Sequence, residues 1–304
     1  MPISLNSCKS DATSQNGEDG VIAAVFQAIG VKSRTCVEFG AYDLKQYSNV
    51  YSLWTNGWRA LLIEGNKLCY EKIKKDYAAH PQAAEQRVSI DNRFVSPEGP
   101  DSLDNILAAH GFPEDLDLVC IDVDSIDLQI WRGLTRFRPR LVVVEYNCMI
   151  PPHIELIASA GGNNIGCSAL SLLKLGKQKG YALVACIGWN AFFVRQEDAH
   201  HFANVDDLEK LFDRTWLRYA MQTYSGEVFF DASLLLPHRL FCRDSHFIES
   251  CSVPLGRASY TLAGGAKQAV MHCLHCYTAI GGAKKLVMLC LRKVKRRIWR
   301  MLGR

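Results

Sequence analysis

Short apolar runs alternate with amphipathic segments over the first two thirds of the chain. Several runs are almost continuous in apolar residues, which is typical of parallel strands covered on both faces. Most of them end at a glycine or an acidic residue, where a strand would give way to a turn. The predicted strands are Thr35–Phe39, Trp58–Ile63, Gln86–Ile90, Leu116–Val123 and Pro139–Tyr146, and Tyr181–Val194 supplies one or two more.

Between these strands, apolar residues recur at the spacing of a helix that buries one face. The first such segment begins at Asn16, which we expect to be the N-cap with Asp19 three residues on, and it stops at Gly30. The predicted helices are Asn16–Ile29, Ser48–Thr55, Leu68–His80, Pro100–His110, Asp127–Leu134 and Ser168–Lys179.

The alternation of strands and helices predicts an α/β fold with a doubly wound, mostly parallel sheet. Such sheets bind their ligands at the carboxyl ends of the strands, near the point where the strand order reverses. The residues that follow each predicted strand are therefore the first candidates for a functional site.

Acidic side chains, amides or glycine follow five successive predicted strands. An acid at the end of a buried strand is costly unless it is paired, hydrated or used. Any single one could be only a helix N-cap, but the repetition over five strands favours a binding site. In chain order they are Glu38, Gly40 and Asp43; Glu64; Asp91 and Asn92; Asp122 and Asp124; Glu145 and Asn147.

The sequence contains neither GxGxxG after the first strand nor GxxxxGK[ST]. This argues against a nucleoside triphosphate or a dinucleotide and leaves a nicotinamide dehydrogenase as a weak alternative. A nucleoside without a pyrophosphate fits better, with Glu64 accepting from both ribose hydroxyls and Asp91 from the adenine amino group. S-adenosylmethionine is such a nucleoside, and its sulfonium and amino cations suit an acidic pocket.

The 304 residues are 48% apolar and 22% charged, which is an ordinary globular composition. Charge is unevenly spread, because eleven Lys and Arg residues but no acidic residue follow Glu249. The first 249 residues consequently carry a formal charge of −7, although the whole chain carries +4. We therefore expect a domain over 1–249, a basic tail over 250–304 and no nucleic-acid partner.

The end of the tail, residues 283–304, has the pattern of a basic amphipathic helix with Trp299 as an anchor. Such a helix suits an anionic bilayer surface, while a helix packed on the domain or a solvated tail is the alternative. Since no basic segment followed by an apolar one opens the chain, we expect a cytoplasmic protein attached to the inner face of the membrane. The apolar positions are Val287, Leu291, Val294, Ile298 and Leu302.

Several segments together resemble a known family. They are SQNGEDGVI from Ser14, VEFGAYDLKQYSN from Val37, GWRALLIEGN from Gly57, LDLVCIDVDSID from Leu116, PRLVVVEYN from Pro139, and GCSALSLLKLGKQKGYALV with NAFFVR up to Arg195. In this order, over roughly residues 14–195, they resemble the FkbM-like family of S-adenosylmethionine-dependent methyltransferases. The resemblance implies a seven-stranded Rossmann-like methyltransferase sheet. It also implies methyl transfer to a hydroxyl of a carbohydrate-like or small-molecule acceptor, such as a polysaccharide, a glycolipid or a glycosylated metabolite.

The resemblance also implies roles for single residues. The implied cofactor-binding residues are Glu38, Gly40 and Asp43 near the methionine part, Ser48 and Asn49 at the start of the next helix, Glu64 at the ribose, and Asp91, Asn92 and Asp122. Leu44 and Ser125 stand where glycine is usual in the family, and a side chain tolerates a left-handed backbone poorly. We therefore expect rebuilt turns or reduced cofactor affinity. A catalytically degenerate relative that acts as a binding or membrane-tethering module is the alternative function.

Methyl transfer to an alcohol needs a group that takes the hydroxyl proton. Asp122, Asp124 and Glu145 are candidate bases, or they could share Mg²⁺ with Asn147 as a neutral oxygen ligand. They could instead bond to the cofactor amino group or to backbone amides. His153, in the loop after the fifth strand, is a further candidate base.

Overall fold

The computed structural model describes residues 2–157 and 166–217, together with the backbone of two short strands between residues 220 and 230. The chain divides into two compact units, Met1–Leu217 and Arg218–Arg304. The predicted boundary between residues 249 and 250 lies outside the described residues.

Seven strands form the sheet of the first unit. They are β1 (Thr35–Phe39), β2 (Arg59–Ile63), β3 (Val88–Asp91), β4 (Leu118–Ile121), β5 (Leu141–Glu145), β6 (Tyr181–Ile187) and β7 (Asn190–Arg195). Their order is β3-β2-β1-β4-β5-β7-β6, with β1 to β5 parallel and β7 antiparallel between β5 and β6. The predicted doubly wound, mostly parallel, seven-stranded sheet is thus confirmed, and its strand order reverses between β1 and β4.

Each predicted helix is present and begins and ends close to its predicted bounds. The helices are α1 (Glu18–Ile29), α2 (Tyr51–Thr55), α3 (Lys67–Ala78), α4 (Leu103–Ala109), α5 (Asp127–Gly133) and α6 (Ala169–Gln178), and a short α7 (Leu208–Leu211) follows β7. Boundaries differ where the chain turns before the first helical hydrogen bond forms, as at residues 48–50 before α2.

The predicted N-cap Asn16 is wrong, because α1 begins at Glu18 after Gly17, whose φ is +99°. The fully buried carboxylate of Glu18, the first helical residue, holds the chain that leads into this helix. Its Oε2 accepts the backbone N–H of Asn16 at 2.6 Å, and its Oε1 accepts the side-chain amide of Asn190 at 3.0 Å. Glu18 therefore fixes the entry to α1 and ties it to β7.

Two apolar clusters cover the two faces of the sheet. Alternate residues of each strand point to opposite faces, so that Val37 and Phe39 of β1 join one cluster and Cys36 joins the other. One cluster includes Trp131 of α5, and the other includes Trp54 of α2, both almost fully buried. Burial on both faces holds the strands in one register and fixes the positions of their ends.

The second unit contributes an antiparallel pair of strands, β8 (Ala220–Gln222) and β9 (Val228–Phe230). The predicted amphipathic helix over 283–304 lies outside the described residues. Within the part of the chain that the structure describes, no helix has the length and apolar character needed to cross a bilayer.

Candidate functional site

The carboxyl ends of β1 and β4 meet closely at the point where the strand order reverses. A Cβ built on Gly40 would lie 1.7 Å from the carbonyl oxygen of Asp122, and the φ of Gly40 is +72°. Any side chain would therefore clash with the backbone of the neighbouring strand end. The glycine that sequence analysis placed in the cofactor loop is required here by both space and conformation.

Glu38, the fourth residue of β1, holds the loop that follows it. Its Oε2 accepts the hydroxyl of Ser48 at 2.6 Å, and its Oε1 accepts the backbone N–H of Asn49 at 2.6 Å. Burial raises the pKa of this carboxyl to about 7, against the opposing effect of the two hydrogen bonds. The side-chain oxygen of Asn49 is buried and has no hydrogen-bond partner in the described structure. It is an acceptor left for a ligand donor.

Glu64 follows β2 and is 8% exposed. Both of its carboxylate oxygens accept backbone N–H groups, from Tyr42 at 2.8 Å and from Asn66 at 2.6 Å. Each oxygen keeps a second lone pair, so the carboxylate can still accept two further donors. The structure thus holds Glu64 in one orientation across the ends of β1 and β2.

Asp91, the last residue of β3, and Asn92 after it are engaged differently from expectation. The carboxylate of Asp91 accepts two N–H groups of Arg93, from Nε at 2.9 Å and from Nη2 at 2.8 Å. One of its oxygens is also 2.7 Å from Nε2 of His110. An adenine amino group would have to compete with these partners. The side-chain amide of Asn92 donates to the carbonyl of Glu64 at 2.7 Å and so fixes the turn after β2.

Phe94, which sequence analysis did not single out, lies over the same turn. A Cβ on Gly65 would be 2.3 Å from a ring carbon of Phe94, so the ring rests against bare backbone. The residue is nevertheless 78% exposed, which leaves much of the ring uncovered beside Glu64. A single aromatic residue in a polar loop gives no periodic signal, so only the structure reveals it.

Three carboxylates gather at the ends of β4 and β5. Oxygen atoms of Asp122, Asp124 and Glu145 all lie within 4.8 Å of one another. Burial, reinforced by the neighbouring negative charges, raises the pKa of both Asp122 and Glu145, and the side chains of these two residues hydrogen-bond to each other. Ionising both carboxyl groups at once is therefore costly.

Asp127, the first residue of α5, is a member of this acidic region that sequence analysis left out of the site. Its two oxygens accept the backbone N–H of Val123 at 2.7 Å and of Ser125 at 3.1 Å. It therefore fixes the turn that carries Asp124. Burial raises its pKa to about 6. The spacing of acids in DVDSID was the signal for this role.

Neither Leu44 nor Ser125, where the resemblance would place glycine, has a positive φ, and Leu44 is buried in the core. The non-glycine residues with a positive φ in these two loops are Tyr42, with φ +41°, Tyr47, with φ +66°, and Asp124, with φ +65°. Asp adopts this conformation more readily than most residues, so Asp124 carries less strain than the two tyrosines. The expected effect on cofactor affinity stays a prediction.

The remaining candidates lie around this edge of the sheet. Asp43 caps the N–H groups of Lys45 and Gln46 at 3.0 Å each and forms an ion pair with Lys72 of α3. Asn147 accepts the N–H of Met149 at 3.0 Å through its side chain. His153 is exposed in the loop after β5. Its predicted role as a base stays a prediction.

Solved structures similar in backbone to this chain include several methyltransferases. The glycopeptide N-methyltransferase MtfA, complexed with (S)-adenosyl-L-methionine, is 11% identical, with 61% of this chain and 88% of that chain covered at a TM-score of 0.36. A SAM-dependent methyltransferase from Aquifex aeolicus is 11% identical, with 57% and 87% covered at 0.34. The mitomycin 7-O-methyltransferase MmcR is 15% identical, with 57% and 53% covered at 0.34. No protein-family model and no curated protein matches the sequence. At identities and scores this low, the activity has to be argued from the residues of the site.

Proposed function

We propose that the chain is an S-adenosylmethionine-dependent methyltransferase of the FkbM-like type that methylates a hydroxyl of a carbohydrate-like acceptor. The observation that carries the proposal is the buried, oriented carboxylate of Glu64 beside the point where the strand order reverses. Ligands of doubly wound sheets bind at this point. A carboxylate with two free lone pairs suits the vicinal hydroxyls of a ribose.

The residues around Glu64 fit the rest of such a nucleoside. The uncovered ring of Phe94 offers a surface on which adenine can stack. Gly40 lets the ends of β1 and β4 approach each other, which brings Asp122 next to the loop after β1. On the far side, the unpartnered oxygen of Asn49 and the carboxylates of Asp122 and Glu145 can accept the amino group of a methionine moiety.

The cofactor would supply an electrophilic methyl group, and the chain would supply alignment and a proton acceptor. The acceptor oxygen must approach the methyl carbon in line with the departing sulfur. The proton released from that hydroxyl would pass to the ionised member of the Asp122–Glu145 pair. A shared proton keeps one of the two carboxyls ionised near neutral pH, as a general base requires.

The same carboxylates support a second arrangement, in which Asp122, Asp124 and Glu145 hold Mg²⁺. Carboxylate oxygens within 4.8 Å of one another can face a single ion, and Mg²⁺ prefers such ligands. The cation would orient the acceptor oxygen and lower the pKa of its hydroxyl.

The test is calorimetric binding of 5′-methylthioadenosine and its 2′-deoxy counterpart. A hydrogen bond to a charged group contributes about 1.5–3 kcal/mol, so the wild-type chain should prefer the ribose form by at least about tenfold. Glu64→Gln should remove that preference, whereas Glu71→Gln, at an exposed position of α3, should keep it. Comparing two ligands on each variant separates ribose recognition from any general loosening of the turn. Equal preference in the wild type and in Glu64→Gln would refute the assignment.

A further inference from the structure

We propose that a cleft lined by the loop after β1 is the acceptor subsite and that Tyr47 is its stacking surface for a sugar ring. This inference rests on the proposed function and assigns the place of its acceptor. The cleft has a volume of about 430 Å³ and lies between residues 12–14 and residues 43–47.

Tyr47 is held in a conformation that its own chemistry disfavours. Its φ is +66°, and a bulky residue with a left-handed backbone is a genuine outlier. The side chain is 51% exposed, so burial does not compensate for the strain. Strained backbone retained at a surface position is characteristic of binding sites, where a ligand gains from the fixed geometry.

Both walls of the cleft are fixed before any ligand arrives. The carboxylate of Asp19 accepts three successive backbone N–H groups, from Ala12, Thr13 and Ser14, at 2.8 to 2.9 Å. On the other wall, Asp43 caps the two residues that precede Tyr47. A preformed site of this kind loses little entropy on binding.

Ser48 connects the cleft to the end of β1 through two hydrogen bonds. The hydroxyl of Thr13 donates to the carbonyl of Ser48 at 3.0 Å, and the hydroxyl of Ser48 donates to Glu38 at 2.6 Å. An acceptor in the cleft would therefore lie next to the loop that is proposed to hold the methionine part of the cofactor. Methyl transfer further requires that the acceptor hydroxyl reach the methyl carbon in line with the departing sulfur.

The lining suits a saccharide. A sugar ring offers a C–H face for an aromatic ring and hydroxyls around its edge, and the cleft offers Tyr47 with the polar side chains of Thr13 and Gln46. The two charged side chains of the lining are already engaged. Asp43 is paired with Lys72, and the Lys45 ammonium lies 5.5 Å from the centre of the Tyr51 ring. The cleft thus carries one cationic side chain, Lys45, which contacts an aromatic ring and forms no ion pair with an acid among the described residues.

The experiment is saturation-transfer-difference NMR on the full chain with four neutral methyl glycosides, those of glucose, galactose, mannose and rhamnose. At least one should receive saturation from the wild-type protein. The signal should fall severalfold in Tyr47→Ala and persist in Tyr47→Phe, which keeps the ring. Tyr42→Ala is the matched control, because Tyr42 is also exposed, with a positive φ, in the same loop but does not line the cleft. Its signal should persist.

S-adenosylhomocysteine titrations of the same variants separate this inference from the proposed function. Unchanged affinity in Tyr47→Ala would show that the fold and the cofactor site are intact, so a lost glycoside signal would then support the subsite. Absence of saturation transfer to all four glycosides, or an equal signal in Tyr47→Ala, would overturn it. Glycoside binding without any binding of S-adenosylhomocysteine would uphold the cleft and overturn the cofactor assignment.

Discussion

Replacing Gly40 with alanine tests whether the carboxyl ends of β1 and β4 approach each other as closely as described. The new Cβ would lie 1.7 Å from the carbonyl oxygen of Asp122, so the ends of β1 and β4 must separate. A left-handed alanine costs about 1–2 kcal/mol, and forced overpacking adds about 1–3 kcal/mol. We expect Gly40→Ala to lower the free energy of unfolding by about 2–5 kcal/mol and to abolish binding of S-adenosylhomocysteine.

Gly111→Ala is a control for the backbone term. Gly111 follows the C-cap of α4 with a φ of +62°, but a Cβ there would meet no heavy atom within 4 Å. The conformational cost of about 1–2 kcal/mol applies without the clash, and ligand binding should be retained, because Gly111 lies between α4 and β4, before the strand begins. Urea unfolding followed by circular dichroism gives both values. Equal destabilisation of the two variants would refute the close approach of the strand ends.

Three further outcomes follow from the site. The pKa of Glu38 is raised to about 7 from 4.5, so its contribution to stability is fully present below about pH 4.5 and is lost as the pH rises through 7. This contribution amounts to about 3 kcal/mol of unfolding free energy at most. Between pH 5 and pH 8 the urea midpoint should therefore fall less in Glu38→Gln than in the wild type. An equal fall in both proteins would contradict the burial argument. Phe94→Ala should weaken S-adenosylhomocysteine binding about 5- to 13-fold by calorimetry, from the loss of about 1–1.5 kcal/mol of stacking. Phe94→Tyr should bind normally, and unchanged binding in the alanine variant would rule out the stacking surface. If the three carboxylates hold Mg²⁺, millimolar MgCl₂ should raise the midpoint of thermal unfolding in the wild type but not in Asp124→Asn, whereas a shared proton predicts no difference between the two proteins.

The strands and helices could be predicted because burial on both faces leaves a direct trace in the sequence. β5 is predicted by an apolar run of four residues before Glu145, and α6 by the serine that caps it and the glycine that follows it. The antiparallel insertion of β7 between β5 and β6 has no such trace. Its register depends on pairing with β5, a contact between distant parts of the chain.

The positions of the candidate site could be predicted from the sequence, but the partners of its residues could not. Acids after each strand were visible, whereas the engagement of Asp91 by Arg93 and His110 depends on how the loop after β3 meets the end of α4. Likewise, the left-handed residue after β4 is Asp124 rather than its neighbour Ser125. Hydrogen bonds of Asp127 to the turn decide this choice, and they exist only once α5 is in place.

The most direct measurement is calorimetric titration of the full chain with S-adenosylhomocysteine, with NAD⁺ titrated in parallel. If the cofactor binds at the strand ends beside Glu64, S-adenosylhomocysteine should titrate to one saturable site. NAD⁺ should give no saturable heat, because the chain has no glycine-rich loop to bind its pyrophosphate. No binding of S-adenosylhomocysteine up to millimolar concentration, or tighter binding of NAD⁺, would contradict the proposed function.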